Sequence, residues 1–443
     1  MNAPVHADLR SAPADLASRA AHTWRLVRAP APMLRELASR YGDPFLLPTL
    51  DETYVITGDP AHVAAVFAAD PEVMDPPSGV VEPLLGERTV VLARAARHRR
   101  KRKLLAPPLH GARMRTYGDA IVEAARGAFR DVSPGTAVPV IRHTQRLSLD
   151  VIVRAVFGMR DPARVARFHA VVGEVIGRFP AWLMFSPWLH RPMLGLGPWD
   201  RYQRASARLC DLLREEIAAA RASPEGRDDV MSLLLAARDE EGQALPDDEL
   251  VDELRTLVIA GHETTATTLA WALWRLHRAP DALGALRDEL DALGPSVDAE
   301  TLASLPYLGA VCDETLRLHP IVPIMARRLA RDWTLAGRTI PAGTMVCPAV
   351  MLTHLDPALY PEPHAFRPER FVAKRYGPGA FYPYGGGARR CLGAAMASYE
   401  LRVALGTVLH HHRFAPDRGP ALTNVMHGVT TRPSRPIVLT LTR

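Results

Sequence analysis

Between about Ala106 and Leu290, apolar residues recur at helical spacing in one segment after another. In DAIVEAARGAFRDV, SLDVIVRAVFGM and RASARLCDLLREEIAAARA they return every three or four positions, which gathers them on one helix face and leaves the other to charged residues. That predicts a mainly helical body. Strand-like text is confined to short stretches: Tyr54 to Thr57, the run WTLAGRTIPAGTMVCPAVM with turn chemistry at Ala336-Gly337 and Pro341-Ala342-Gly343, and RPIVLTLTR at the end. MLRELASRYGDPFLLP predicts a short helix running into Gly42-Asp43-Pro44. After the first strand, Asp59 is placed to cap a helix and Pro60 to sit in its first turn. Residues 1–25 are polar and rich in Ala and Pro, and read as a flexible lead-in. No internal repeat is visible and no linker divides the remainder. The expected organisation is one domain over residues 26–443, mainly α with minor β.

Composition narrows the class. Of 443 residues, 48% are hydrophobic and 23% charged, enough apolar material for a substantial core and too much for a disordered chain. The net charge of +6 is small for this length, and acids occur in every segment, so nucleic acid is not the expected partner. Cys210, Cys312, Cys347 and Cys391 are scattered without a C-x-x-C pair, which argues against a disulfide framework or a structural zinc site and fits a reducing cytosol. No window reaches the roughly 18 apolar residues of a membrane span, and the N-terminus has no signal-like apolar region. The expectation is a soluble, cytoplasmic protein without a transmembrane anchor.

Candidate chemistry concentrates in a few motifs. In FYPYGGGARRCLGAAMA, Phe381 to Ala397, glycines that permit positive φ and close backbone approach precede a lone cysteine at the start of a helix. A thiolate is stabilised there by the free amides and the helix dipole. Such a site suits a single thiolate ligand to an iron; the plain alternative is an inert buried cysteine beside a glycine turn. In AGHETTATTLAWAL, the run Ala260-Gly261-His262-Glu263-Thr264-Thr265 breaks an apolar helix with small and polar residues that helix propensity would not choose. CDETLRLHP puts Glu314 and Arg317 on one helix face. RAARHRRKRKLLAPPLHGARM by itself reads as a nucleic-acid or heparin patch, or simply a solvated helix face.

Together these motifs resemble the cytochrome P450 family, over the chain from about Tyr41 to the end. The resemblance implies a prism-like, mostly helical fold with small sheets and a haem b (iron protoporphyrin IX) buried between the long central helix and the helix after the cysteine loop. It implies that Cys391 ligates the iron, with Tyr384, Gly385 and Gly393 shaping the loop and Ala260 and Gly261 leaving room on the opposite face. Glu263 and Thr264 match the acid and alcohol that deliver protons during dioxygen activation. Glu314, Arg317 and Arg370 match a buried cluster behind the haem. His98 and Arg102, Arg327 and Arg389 resemble partners of the haem carboxylates, with Arg328 a rival for the place of Arg327. Arg99, Arg100, Lys101 and Lys103 are expected to face solvent and attract an acidic electron donor. Two positions depart from the family pattern: Tyr384 stands where Phe is usual, and His98 where many relatives carry Trp.

The function implied is a monomeric monooxygenase that takes two electrons from NAD(P)H through a ferredoxin and its reductase, or a similar redox partner, and inserts oxygen from O2 into a lipophilic small molecule. A terpenoid, fatty acyl or polyketide substrate of secondary metabolism is expected. Substrate contacts are expected near Ile259, Ile321, Val322, Ile324 and Val429, and in the loop from about Asp75 to Val90. The cluster Trp182, Met184, Phe185 and Trp188 suits an entrance lid, a helix packing on the core or a membrane-surface contact. Rival readings are a peroxygenase, isomerase or dehydratase without a redox partner, relatives of which commonly lose the acid and alcohol pair kept here as Glu263 and Thr264, and a haem-based sensor or nucleic-acid binder, which would explain the basic run but leave both polar sets unexplained.

Overall fold

A computed structural model describes residues 9–77, 81–111, 113–184, 189–294 and 297–442. The chain forms two compact units, the first comprising Met1–Pro77, Asp313–Cys391 and Gly419–Arg435, the second Ser78–Cys312, Leu392–Arg418 and Pro436–Arg443.

A five-stranded sheet organises the first unit, in the spatial order Phe45–Pro48, Thr53–Thr57, Met345–Pro348, Arg327–Leu329, Met74–Asp75. Phe45 lies opposite Ile56 in the antiparallel pair, and Tyr54 runs beside Met345 in the parallel one. Side chains of successive strand residues point to opposite faces. Phe45, Leu47, Ile56, Met345 and Cys347 therefore pack on one side with Met33, Leu34 and Leu37 of the helix Pro30–Tyr41. Leu46, Val55, Val346 and Leu329 pack on the other with Val66. Val66 belongs to the helix Pro60–Ala68, where Asp59 caps as its position predicts, accepting from the Ala61 and His62 amides. The expected hairpin forms between Trp333–Leu335 and Arg338–Ile340, turning at Ala336 and Gly337, both at positive φ.

The lead-in departs from expectation. From residue 9 onward it is ordered: Ala12 donates to the Leu46 carbonyl, and a helix spans Leu16–Arg28. Residues 1–8 lie outside the described residues. This helix is held by polar groups that hydrophobic periodicity does not register. Asp15 caps it at Ser18, Arg19 donates to the Thr49 carbonyl at 2.7 Å, and the His22 ring meets the Pro48 carbonyl at 2.8 Å.

The second unit is helical, as its spacing predicts. The central helix, Asp247–Leu276, has twenty buried residues along its length. It packs against the helix Val140–Phe157 closely enough that a Cβ on Gly261 would meet Ile152 at 3.3 Å. The C-terminal helix, Ala394–His411, buries Leu401, Val403, Ala404, Leu405, Val408 and Leu409, and the last strand, Val438–Thr440, pairs antiparallel with Ala137–Pro139.

Candidate active site

The cysteine loop is shaped by its own unit. Gly385 and Gly387 take φ of +70° and +62°, a region open to glycine and costly for other residues. A Cβ on Gly387 would stand 1.9 Å from the Phe67 carbonyl oxygen, and one on Gly386 would stand 2.3 Å from the Phe67 ring. At Gly386 and Gly387, then, the close approach read from the sequence is made to the helix Pro60–Ala68, which seats the loop. The Cys391 amide donates to the Tyr384 carbonyl at 2.8 Å, and the Cys391 residue is exposed. Two residues on, Gly393 caps the C-terminal helix, and a Cβ there would meet no protein atom within 4 Å.

Behind the loop in the same unit, Glu314 and Arg317 are both fully buried and form a two-point ion pair at 2.7 and 2.8 Å. Arg370 reaches the same carboxylate at 3.1 Å, and the Arg367 amide donates to it at 2.9 Å. Arg317 also donates to the His354 and Pro363 carbonyls, both at 2.8 Å, and lies over the Tyr360 ring. The structure thus brings together the three charged residues singled out in the sequence and saturates them. Tyr360 and the carbonyl acceptors are parts of the cluster that no local pattern announced.

Arg327 and Arg328 are adjacent on one strand and turn to opposite sides. Arg328 donates to both Glu52 oxygens, at 2.9 and 3.1 Å. Arg327 donates to the Ala326 carbonyl at 2.8 Å, forms no ion pair with any described residue, and has its pKa lowered by burial. It lines a small cleft with Arg389, Phe67 and Gly386. Ile321, buried, accepts from the Thr431 amide through its carbonyl; Val322 and Ile324 are half-buried, and Val429 stands exposed at the hairpin tip.

On the central helix, Ala260 is exposed between buried Ile259 and half-buried Gly261, and the Thr264 hydroxyl, one turn on, donates to the Ala260 carbonyl at 2.6 Å. Glu263 is held from the side by Gln145 of the helix Val140–Phe157, whose amide donates to it at 2.9 Å. Gln145 was invisible to sequence reasoning because its role depends on which helix packs there. His262 is buried, its Nδ1 3.9 Å from the Glu263 carboxylate, and burial pushes its pKa down to about 4, so it is neutral at physiological pH. Ile259 is buried in the unit's apolar core.

The basic run forms the helix Ala95–Leu105, in which His98 is buried and Arg102 half-buried. Of the four cations expected to face solvent, Arg99 and Lys103 are exposed, Arg100 is half-buried and Lys101 does not meet the expectation. Lys101 is fully buried, 2.6 Å from Glu249 and 2.9 Å from Glu253 of the central helix. Arg100 is paired with Asp239 and Lys103 with Glu240, each at 2.6 Å. Acids from residues 239–253, over a hundred positions away in sequence, answer these charges within the chain. Of the proposed lid, Trp182 is exposed and Met184 buried; Phe185 and Trp188 lie outside the described residues.

A mainly helical fold, a thiol presented on a glycine-bent loop and a polar break with an acid and alcohol in a buried helix define the class of haem-thiolate oxygenases. The chain belongs to the cytochrome P450 family, whose family model matches residues 24–441, and it is a haem-thiolate monooxygenase with the fold of that family. It is similar to a Mycobacterium tuberculosis protein named "Putative cytochrome P450 135B1", 37% identical over 380 residues that cover 84% of this chain and 78% of the relative. Among solved structures it is similar to retinoic acid-bound cyanobacterial CYP120A1, with a TM-score of 0.82 and 26% identity, covering 94% of this chain and 95% of that one. It shares its fold with the cytochrome P450DA heme domain at a TM-score of 0.85 and 24% identity, over 98% of this chain and 96% of that one. No helix among the described residues is long and apolar enough to cross a membrane.

The residues fit a haem. Cys391 is an exposed residue carrying a thiol, Gly393 leaves open the space a side chain would fill, and Arg327 has no carboxylate partner among the described residues. The haem, when bound, supplies the redox chemistry of dioxygen activation.

Proposed function

We propose that the protein hydroxylates or epoxidises a lipophilic small molecule, terpenoid or fatty acyl, with two electrons that originate in NAD(P)H and arrive through a ferredoxin-type donor. The observation that carries this reading is the exposed Cys391 at the end of a loop seated on Phe67. Cys391 serves as the thiolate ligand. Arg327 and Arg389, which share a cleft, and His98 and Arg102 would hold the haem carboxylates. Glu52 already engages Arg328 at two points, which favours Arg327 for this role.

Thr264 and Glu263 manage protons. The Thr264 hydroxyl, now donating to Ala260, must release that carbonyl to donate into the site, and its lone pairs remain free to accept a proton in turn. Glu263 feeds it from the side, the Gln145 amide holding the carboxylate until it turns. Retention of this pair favours a donor-dependent monooxygenase over a peroxygenase. The apolar side chains of Ile259, Ile321, Val322, Ile324 and Val429 supply a surface for a lipophilic substrate. Retinoic acid in a fold neighbour is itself a terpenoid, which favours that class. The absence of disulfides among the four cysteines accords with a cytosolic location.

The test is the absorption difference spectrum of the dithionite-reduced protein with and without carbon monoxide, for wild type and Cys391→Ser. A strongly red-shifted Soret band in wild type that disappears in the variant supports thiolate ligation. A band where histidine-ligated haem absorbs, or no haem at all, overturns the role of Cys391 and the oxygen chemistry built on it.

A further inference from the structure

A lysine ammonium removed from water must be compensated at short range or lose its proton. Lys101 is fully buried, and it is compensated twice, by Glu249 at 2.6 Å and Glu253 at 2.9 Å. Arg97, one turn earlier, donates to Glu249 at 2.8 Å. Arg97 and Lys101 are four residues apart on the basic helix, and Glu249 and Glu253 are four apart on the central helix. Two rows of matching spacing therefore mesh, and the two cations balance the two carboxylates. The sequence offered Lys101 to solvent and an electron donor; the structure gives it to the chain's own interior.

The position of this zipper has a consequence for its neighbours. His98 and Arg102 each follow a zipper residue by one position, so their row lies about 100° around the same helix. An apolar contact of this length would tolerate some roll or slip, whereas a buried ionic group is compensated in one register only and is costly in any other. We propose that Lys101 is a positioning residue, which fixes the register of the basic helix on the central helix and thereby the presentation of His98 and Arg102 to the haem carboxylates. This rests on the haem-binding reading above. Lys101 touches no haem atom in this scheme; it acts through the helix.

The test is haem release into excess apomyoglobin from the haem-loaded protein, as a function of pH. The variants are Lys101→Met, Lys101→Arg, and Lys101→Met combined with Glu253→Gln. Glu253 faces Lys101 from the basic helix, Glu249 on its own helix, and the Thr89 hydroxyl and Val90 amide from the preceding segment. Lys101→Met is expected to release haem at least about tenfold faster than wild type, the scale on which supporting residues act at cofactor sites. Its release should accelerate as rising pH ionises Glu253 without its cation. The double variant should also release haem faster than wild type but without that pH dependence, and Lys101→Arg should restore retention. Each preparation is first checked for the thiolate band with carbon monoxide. If wild type lacks the band, the haem reading fails and the proposal with it. If the band is present and Lys101→Met releases haem at the wild-type rate with a flat pH profile, the proposal alone is overturned. Should Lys101→Met not fold, a wild-type release rate in the double variant overturns it equally.

Discussion

At the residue scale, the charges that matter most are those with no access to water. Arg317 and Glu314 are each fully buried, so replacing one partner strands the other's charge. Arg317→Leu is expected to lower the unfolding free energy by about 3–5 kcal/mol, measured by denaturant titration. A loss typical of an exposed pair would show that the cluster is not closed in solution. Glu400 poses the opposite case. It is buried against Ser148, whose hydroxyl donates to it at 2.9 Å, and burial raises its pKa from an ordinary 4.5 to about 8. The folded state therefore keeps a proton that the unfolded chain gives up above its own pKa. The protein loses stability as pH rises through the window from 4.5 to about 8, by about 1.4 kcal/mol per pH unit. Glu400→Gln carries no charge to lose, so its stability relative to wild type should grow across that window. Parallel curves for the two proteins would mean that Glu400 is ionised in the fold.

At the element scale, the cysteine loop and the helix Pro60–Ala68 behave as one part. Gly387→Ala places a methyl group against the Phe67 backbone at a positive φ, and neither backbone can yield cheaply. The strain alone costs of order 1–3 kcal/mol. The expected outcome is a lower thermal midpoint together with a diminished thiolate band, since the seat of Cys391 is what moves. A lower midpoint with a normal band would separate stability from the seat. The contrast with Gly393, where a Cβ meets no protein atom, is informative. One glycine of the motif answers to the protein, and the other meets none of it.

At the scale of the whole molecule, the net charge of +6 overstates how much cation is on offer to a partner. Asp239 and Glu240 neutralise Arg100 and Lys103, and surface pairs of this kind are weak individually but lower the local field. Asp239→Asn combined with Glu240→Gln frees two cations. If an acidic ferredoxin docks near the basic helix, reduction of the protein by it at low salt should become severalfold faster, with a steeper dependence on ionic strength. An unchanged rate would put the docking surface elsewhere.

Period and spacing determined the helical second unit, the turn at Ala336-Gly337 and the Asp59 cap, whereas Cys391, Glu263, Thr264 and the Glu314, Arg317, Arg370 set were singled out by their resemblance to family motifs. These are local codes, in which the residues that carry the information lie within a turn or a motif of one another. What only the tertiary structure decided is which distant group answers each charge. The helix Leu16–Arg28 was missed because Thr49 and Pro48 hold it. Arg327 and Arg328 were indistinguishable until Glu52 took one of them. Gln145 had no motif, and Lys101 read as a solvent-facing cation until residues about 150 positions away in the chain enclosed it. An isolated charge in a sequence carries no mark of burial. Its environment is set by the elements that pack around it, and long-range packing is the part of the fold that local periodicity does not encode.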